Sequence, residues 1–242
     1  MDTGVAQDIV LSVRNVTLAL DHRTIIRDLS FEVRKGDTLA IIGPNGSGKT
    51  VLLKALLGLI PCEGSVVWSV GTRLGYVPQK IAADRQMPLL VRNLLEAKAR
   101  FLKLPPDAIS LVSKEVGLTE DLLNAGIGAI SGGQFQKVLI AYALLGEPNV
   151  LLFDEPTASL DEMEEEHIYE LLELLKGKQK LTVLLVSHDL SVVHRSANMV
   201  LCLSKGKTCM GPPQELLTPE MLEATYSMPH KYYQHLKTHQ ET

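Results

Sequence analysis

Residues 43–50 read Gly43-Pro44-Asn45-Gly46-Ser47-Gly48-Lys49-Thr50, which fits the P-loop pattern of phosphate-binding proteins at every fixed position. An apolar run rich in β-branched residues, 37–42, precedes this motif, and a helical pattern, 51–57, follows it. A loop that leads from a buried strand into a helix is the context that the motif requires. The sequence therefore predicts a loop that binds the phosphates of a nucleoside triphosphate.

Each residue type in this loop has a physical task. Glycine at positions 43, 46 and 48 lets the backbone turn tightly, so that successive N–H groups and the positive end of the next helix face the phosphates. Lys49 adds a cation. Thr50 is placed to put its hydroxyl on a magnesium ion that bridges the last two phosphates.

A second candidate site follows the apolar run 149–153, which ends in Asp154, Glu155 and a proline. A strand that ends this way places acids at the carboxyl edge of a sheet, where doubly wound folds bind their ligands. Neighbouring strand residues point to opposite sides, so the two acids are expected to have different tasks. We expect Asp154 to support the magnesium ion, and Glu155 to orient or deprotonate the water that attacks the terminal phosphate.

A third motif, Ser131-Gly132-Gly133-Gln134, precedes a run whose apolar spacing suits a largely buried helix, 135–145. Ser131 can cap that helix, and the glycines leave its first backbone N–H groups accessible. The sequence therefore predicts a second anion site at this helix N-terminus.

Together these motifs resemble those of ABC-type ATPase domains, and the resemblance covers essentially the whole chain. The family signature Leu-Ser-Gly-Gly-Gln appears with Ile130 in first place. Gln79 resembles the glutamine of the family's Q-loop, Asp161 ends a run that resembles its D-loop, and His188 resembles its switch histidine. Six motifs therefore occur in the family's order.

The resemblance implies a P-loop NTPase (RecA-like) α/β core with an N-terminal antiparallel β layer and a helical subdomain. The whole chain would form one ABC ATPase domain: residues 1–88 and 148–228 as the nucleotide-binding core, 89–147 as the helical subdomain with the signature, and 229–242 as a tail.

The resemblance also implies ATP and Mg²⁺ as cofactors. Glu155, His188 and Gln79 would serve hydrolysis, and Thr50, Gln79 and Asp154 would hold the magnesium ion.

In this family two domains sit head to tail, and each nucleotide lies between the P-loop of one and the signature of the other. Because this chain has one copy of each motif, it would work as a homodimer or with a similar chain. The residues expected to bind nucleotide are therefore those of the P-loop together with Ser131, Gly132, Gly133, Gln134 and Asp161.

Composition and charge exclude several other classes. The chain has 242 residues, 45% of them hydrophobic, which suits a single large globular core. A net charge of −4 gives no general basic face, so no nucleic-acid partner is expected. The cysteines Cys62, Cys202 and Cys209 form no C-x-x-C pair, which argues against a zinc knuckle or a disulfide framework and suits a reducing compartment. No signal peptide or membrane-spanning run is apparent, so a membrane function would require a partner.

The strings 75–80 and 187–190 resemble most closely the ATPase subunits of zinc- and manganese-type metal importers. This resemblance implies a multi-spanning permease partner, an extracytoplasmic solute-binding protein in the same system, and a location on the cytoplasmic face of the cell membrane. The imported ion would pass through the permease, so no metal-ligand set is expected here. The terminal His230, His235 and His239 are spaced five and four residues apart, which does not define a metal site. A polar tail is the favoured interpretation, and a tail that senses a soft or borderline metal is the alternative.

Two other functions remain open from the sequence. A soluble ABC-type ATPase that remodels ribosomes, DNA or iron–sulfur assemblies is one, although the chain lacks the coiled-coil insertions, tandem halves and basic extensions that favour it. A P-loop kinase is the other, and it leaves the Ser131 motif without a task. Release of ADP and free phosphate without an acceptor would exclude the kinase.

Several positions depart from the family pattern. Leu20 stands where an aromatic residue usually stacks on adenine, and Lys137 and Tyr142 replace common arginines after the signature. Lysine keeps the charge without the planar fork, whereas tyrosine loses the charge. The acidic run 162–166 is interpreted as the solvated first turns of a helix rather than a metal site.

Overall fold

The structure is a computed structural model that describes residues 9–20, 23–79, 88–157, 160–179, 181–204 and 207–226. The chain divides into two compact units. Unit one consists of Met1–Val70 and Val183–Thr242, and unit two consists of Gly71–Thr182.

The elements in chain order are β1 (Ile9–Leu20), β2 (Arg23–Arg34), β3 (Thr38–Ile42), α1 (Lys49–Leu56), β4 (Glu63–Trp68), β5 (Leu74–Val77), α2 (Val91–Phe101), α3 (Ala108–Val116), α4 (Glu120–Leu123), a 3₁₀ turn (Ile127–Ala129), α5 (Gly132–Leu144), β6 (Val150–Asp154), α6 (Glu162–Gln179), β7 (Thr182–Val186), α7 (Leu190–Ser196), β8 (Met199–Ser204), β9 (Lys207–Gly211), α8 (Pro213–Leu216) and α9 (Pro219–Tyr226).

Unit one contains one whole sheet and four strands of a second. An antiparallel sheet has the strand order β2-β1-β4. In the second sheet β3 pairs in parallel with both β7 and β8, and β9 adds to β8 in antiparallel fashion. All five residues of β3 and of β7 are buried, which explains why every residue after the first threonine of each strand is apolar. The predicted α/β class with an antiparallel β layer is confirmed.

Strand β1 is longer than the sequence pattern predicts. The residue types between the β-turn breaks predict a strand from Ile9 to Val13, whereas the strand continues to Leu20. Its pairing with β2 shifts register between Val13 and Val16 and again before Leu18. Such β-bulges break the two-residue period on which the sequence prediction depends. The sequence also predicts strands from Thr38 to Ile42, from Leu74 to Val77 and from Thr182 to Val186, and the bounds of β3, β5 and β7 agree with these predictions.

Unit two is organised around α5, the helix that begins just after Ser131. This helix packs against α2, α3, α6 and β5. Strands β5 and β6 of the unit pair in parallel, with Val77 opposite Phe153. Gly75 of β5 allows this packing, because a Cβ atom there would lie 2.9 Å from the carbonyl oxygen of Ala143 in α5.

No helix within the described ranges is long and apolar enough to cross a membrane.

Candidate nucleotide-binding site

The P-loop of unit one joins the end of β3 to the start of α1, as the sequence predicts. Gly43, Gly46 and Gly48 all have positive φ angles, 147°, 78° and 101°. Gly48 is the N-cap residue of α1. A side chain at Gly48 would be strained and would also collide with Ile25, whose Cγ2 atom lies 2.5 Å from the position of an added Cβ. Glycine is therefore required at this position by both backbone angle and space.

Two polar side chains of the loop, Lys49 and Ser47, are buried. The Nζ atom of Lys49, a residue only 6% exposed, donates hydrogen bonds to the carbonyl oxygens of Gly43 at 2.9 Å and Pro44 at 3.4 Å. The Ser47 hydroxyl is buried and has no hydrogen-bond partner among the described residues. A buried hydroxyl without a partner is costly, so this serine fits a loop that is completed by a phosphate.

A residue from the far end of the chain also contacts the loop. The backbone N–H of Gly43 donates a hydrogen bond of 3.2 Å to the hydroxyl of Tyr226, the last residue of α9. Gly43 approaches β8 as well, because a Cβ atom there would collide with the carbonyl oxygen of Leu203. Sequence analysis did not identify Tyr226, and no motif marks it.

His188 lies in the same unit as the P-loop. It follows β7, which pairs in parallel with β3 so that Val186 faces Ile41. Since the P-loop follows β3, both segments leave the same edge of this sheet. His188 is exposed, and the next residue, Asp189, caps α7 by accepting hydrogen bonds from two backbone N–H groups.

In unit two, Asp154 ends the fully buried strand β6 and is itself 1% exposed. Its Oδ2 atom accepts a hydrogen bond of 3.3 Å from the hydroxyl of Tyr76 on β5. Burial, followed by the charge of Asp154 and this hydrogen bond, raises the pKa of Tyr76 to about 12. Tyr76 is therefore a neutral donor at physiological pH, and it orients the carboxylate without adding charge.

Glu155 and Gln79 lie together, although 76 residues separate them in sequence. The Nε2 atom of Gln79 donates a 2.6 Å hydrogen bond to the Oε2 atom of Glu155. Glu155 also has a φ angle of 48°, in the left-handed region that residues other than glycine rarely adopt. Such strain is concentrated at functional sites. The acids Asp154 and Glu155 thus have different neighbours, Tyr76 and Gln79 respectively.

The signature segment of unit two starts helix α5 with a complete capping box. The Ser131 hydroxyl accepts a hydrogen bond of 3.2 Å from the backbone N–H of Gln134. The side-chain oxygen of Gln134 in turn accepts one of 2.9 Å from the backbone N–H of Ser131. The predicted capping role of Ser131 is confirmed, and the reciprocal bond explains the spacing of Ser131 and Gln134.

One acid of the run 162–166 contacts the signature segment, which the sequence analysis did not foresee. The Ser131 hydroxyl donates a hydrogen bond of 3.3 Å to the Oε1 atom of Glu164. The next acid, Glu165, accepts a hydrogen bond of 2.6 Å from the Thr157 hydroxyl. The interpretation of these acids as merely solvated is therefore wrong for both. Within the described part of the chain, no group of three or more His, Cys, Asp or Glu side chains could hold a metal ion.

The remaining predicted residues are placed as follows. Asp161 precedes α6, and its Oδ1 atom accepts a hydrogen bond of 2.8 Å from the backbone N–H of Glu164. Residues 158 and 159 of the D-loop and the three terminal histidines lie outside the described residues. Leu20, at the expected adenine position, is 49% exposed.

Comparison with known proteins agrees with these motifs. The family model described as "ABC transporter" matches residues 26–158. The zinc import ATP-binding protein ZnuC of Ruegeria pomeroyi is 38% identical over 206 residues, which cover 85% of this chain and 79% of that protein. A Thermotoga maritima protein described as "Probable metal transport system ATP-binding protein" is 35% identical over 221 residues, 90% of each chain.

A solved structure is also similar. It is a chain of an ABC transporter assigned to the metal-chelate type, in an inward-facing conformation, and it superposes with a TM-score of 0.83 at 29% identity. The similarity covers 92% of this chain and 90% of that one. The family match spans more than half of the chain, and the two relatives match it over most of their own length. The chain therefore belongs to the ABC transporter family, and within it to the ATP-binding proteins that hydrolyse ATP.

Proposed function

We propose that this chain is the ATP-hydrolysing motor subunit of a transporter that imports a divalent metal ion, zinc or manganese, across the cytoplasmic membrane. The Ruegeria pomeroyi relative is named for zinc import and the Thermotoga maritima relative for metal transport. Because the matches cover 79% and 90% of those proteins, the similarity supports the same transport role for this chain.

The observation that carries the hydrolytic part of the proposal is the conformation of Glu155. Its φ angle is 48° and its carboxylate is held 2.6 Å from the Gln79 amide nitrogen. A base held in place by a neighbouring amide is suited to orient a water molecule and accept its proton. The water oxygen would then bond to the terminal phosphorus, the bond to the ADP oxygen would break, and free phosphate would leave. His188 and Gln79 would assist this step.

The P-loop would bind the nucleotide. The Lys49 amino group, which donates hydrogen bonds to the Gly43 and Pro44 carbonyl oxygens, is a buried cation suited to bind phosphate oxygens. The Ser47 hydroxyl, which has no hydrogen-bond partner among the described residues, would gain one from a phosphate. Thr50, Gln79 and Asp154 offer hydroxyl, amide and carboxylate oxygens, the donor types that Mg²⁺ prefers. When bound, this ion would neutralise charge on the phosphates.

We further propose a head-to-tail homodimer that holds two ATP molecules between the P-loop of one chain and Ser131, Gly132, Gly133, Gln134 and Asp161 of the other. The chain would bind a multi-spanning permease on the cytoplasmic face of the membrane, in a system that also contains an extracytoplasmic solute-binding protein. The helical segment 89–147 would pass the closing motion of the dimer to the permease.

A remodelling ATPase without a transport role is less well supported, because the relatives described above are named for import or transport. The test is a strain that lacks the gene, grown in metal-depleted medium. We expect its zinc or manganese content, measured by elemental analysis, to fall and to recover with the wild-type gene but not with Lys49→Ala. An unchanged content of both metals, together with ATPase activity of the purified chain, would support the remodelling role instead.

A further inference from the structure

The start of helix α5 contacts a carboxylate of the same chain. Besides the hydrogen bond from Ser131, Glu164 lies against Gly133 in the first turn of α5. A Cβ atom at Gly133 would lie 2.6 Å from Oε1 and 2.7 Å from Cδ of Glu164. The Glu164 carboxylate therefore covers the first turn of this helix, where glycine leaves room for it.

This position of Glu164 differs from the one that its place in α6 predicts. Glu164 follows Asp161 by three residues, and its backbone N–H donates to the Asp161 side chain, which is half of a capping box. In a complete capping box the glutamate would reach back to the N–H of the residue that caps its own helix. Here its carboxylate instead accepts a hydrogen bond of 3.3 Å from the hydroxyl of Ser131, the N-cap residue of α5.

The reason is electrostatic. The first turn of a helix carries positive partial charge and accessible N–H groups, so it attracts a carboxylate as it attracts a phosphate. In the head-to-tail dimer proposed above, the terminal phosphate of the partner's ATP would need this same turn and the same Ser131 hydroxyl. Two anions cannot share this space.

We propose that Glu164 is a positioning residue that competes with the partner's ATP for the start of α5. This inference rests on the proposed head-to-tail dimer. In the isolated chain Glu164 occupies the signature segment, and the incoming triphosphate has to displace it. Glu164 thereby weakens ATP-driven dimerisation and leaves nucleotide binding to the P-loop of the same chain unchanged.

The test uses Glu155→Gln as the parent, because blocked hydrolysis keeps ATP bound. The dissociation constant of the dimer is measured by analytical ultracentrifugation at saturating ATP and Mg²⁺, for the parent and after addition of Glu164→Gln. A charge at a helix N-terminus changes an equilibrium by about two- to fivefold, so two sites give a dimer that is about 4- to 25-fold tighter. This gain should shrink at high salt, which screens the lost charge.

The matched control is Glu166→Gln, which removes one charge from an exposed position of the same helix. We expect it to leave the dissociation constant of the dimer within about twofold of the parent, because surface charges away from the site have small effects. Glu164→Ala, which removes the competing oxygens altogether, should tighten the dimer at least as much as Glu164→Gln. The ADP affinity of the monomer should be the same in all these variants.

The outcomes separate the two proposals. If the parent does not dimerise with ATP, the proposed dimer is wrong. If the parent dimerises and Glu164→Gln does so equally or less well, the competition is wrong while the dimer stands. A gain in Glu166→Gln equal to that in Glu164→Gln would also overturn the competition, since it would reflect net charge alone.

Discussion

At the scale of single residues, the functional positions differ in how their geometry is set. Lys49 is held by two carbonyl oxygens of its own loop, so its place follows from local sequence. Glu155 follows β6 and is held in a left-handed conformation beside Gln79, which follows β5. The position of Lys49 therefore depends only on the formation of the P-loop. The position of Glu155 beside Gln79 also depends on the pairing of β5 with β6.

The first prediction concerns Glu155→Gln, which keeps the shape of the side chain and removes the base. We expect ATP affinity of the monomer to stay unchanged and turnover to fall about a hundredfold or more, the range lost with a general base. The variant should accumulate as a dimer with ATP, detected by sizing chromatography. A variant that hydrolyses ATP at the normal rate and stays monomeric would contradict the role of Glu155.

Lys49→Ala should instead weaken nucleotide binding itself. A hydrogen bond to a charged group contributes about 1.5–3 kcal/mol, so the ATP dissociation constant should rise by about 10- to 150-fold. Isothermal titration calorimetry measures it. The control is Lys54→Ala, an exposed lysine in the last turn of the same helix, for which we expect little change. Equal affinities in the two variants would contradict the P-loop assignment.

At the scale of elements, a lysine of helix α2 contacts Tyr142 of α5. Tyr142 stands where arginine is common in the family pattern. The Lys98 amino group of α2 donates a hydrogen bond to the Tyr142 carbonyl oxygen and lies 4.3 Å from the centre of its ring. Burial lowers the pKa of Lys98. The contact is a cation–π interaction that joins the two helices.

The packing of β5 within unit two can be tested by replacing its glycine, Gly75. Gly75→Ala places a Cβ atom 2.5 Å from Leu151 and 2.9 Å from the Ala143 carbonyl oxygen, so something must move. We expect a loss of about 1–3 kcal/mol in the free energy of unfolding, measured by urea denaturation. Gly126→Ala is the control, because its Cβ atom meets nothing within 4 Å and its φ angle of −70° suits alanine. A loss in Gly126→Ala as large as that in Gly75→Ala would contradict the packing argument.

At the scale of the whole molecule, each unit combines residues that are far apart in the chain. Unit one joins the P-loop to Tyr226, 183 residues away, and unit two joins Gln79 to Glu155. Because the chain carries one copy of each motif, a composite nucleotide site would require two chains, and the next prediction concerns their dimer.

Ser131→Arg should block ATP-driven dimerisation and spare ATP binding to the monomer, because a long side chain at the helix cap fills the space that the partner's phosphate needs. Mixed with Lys49→Ala, it can form a dimer in which one composite site carries both changes and the other is intact. We expect partial ATPase activity, at most about half of the wild-type rate per dimer. Confirmed mixed dimers without activity would contradict independent head-to-tail sites.

The sequence by itself determined the P-loop, the capped helix after Ser131, the buried strand before Asp154 and the order of the motifs. These features depend on contacts between residues close in sequence, or on an apolar period that a buried element imposes. The same local logic places Gly48 at the start of α1 and confirms Ser131 as the cap of α5.

The tertiary structure alone decided the rest. The continuation of β1 to Leu20 depends on bulges that only its pairing with β2 accommodates. The contact of Gly43 with Tyr226 and the turn of Glu164 from its own helix to Ser131 join residues 183 and 33 positions apart. Such contacts produce no periodic pattern in the sequence, because the partners of a side chain are the groups that the fold places within its reach. The physical reason is that a hydrogen bond depends on distance in space, whereas a sequence pattern records only distance along the chain.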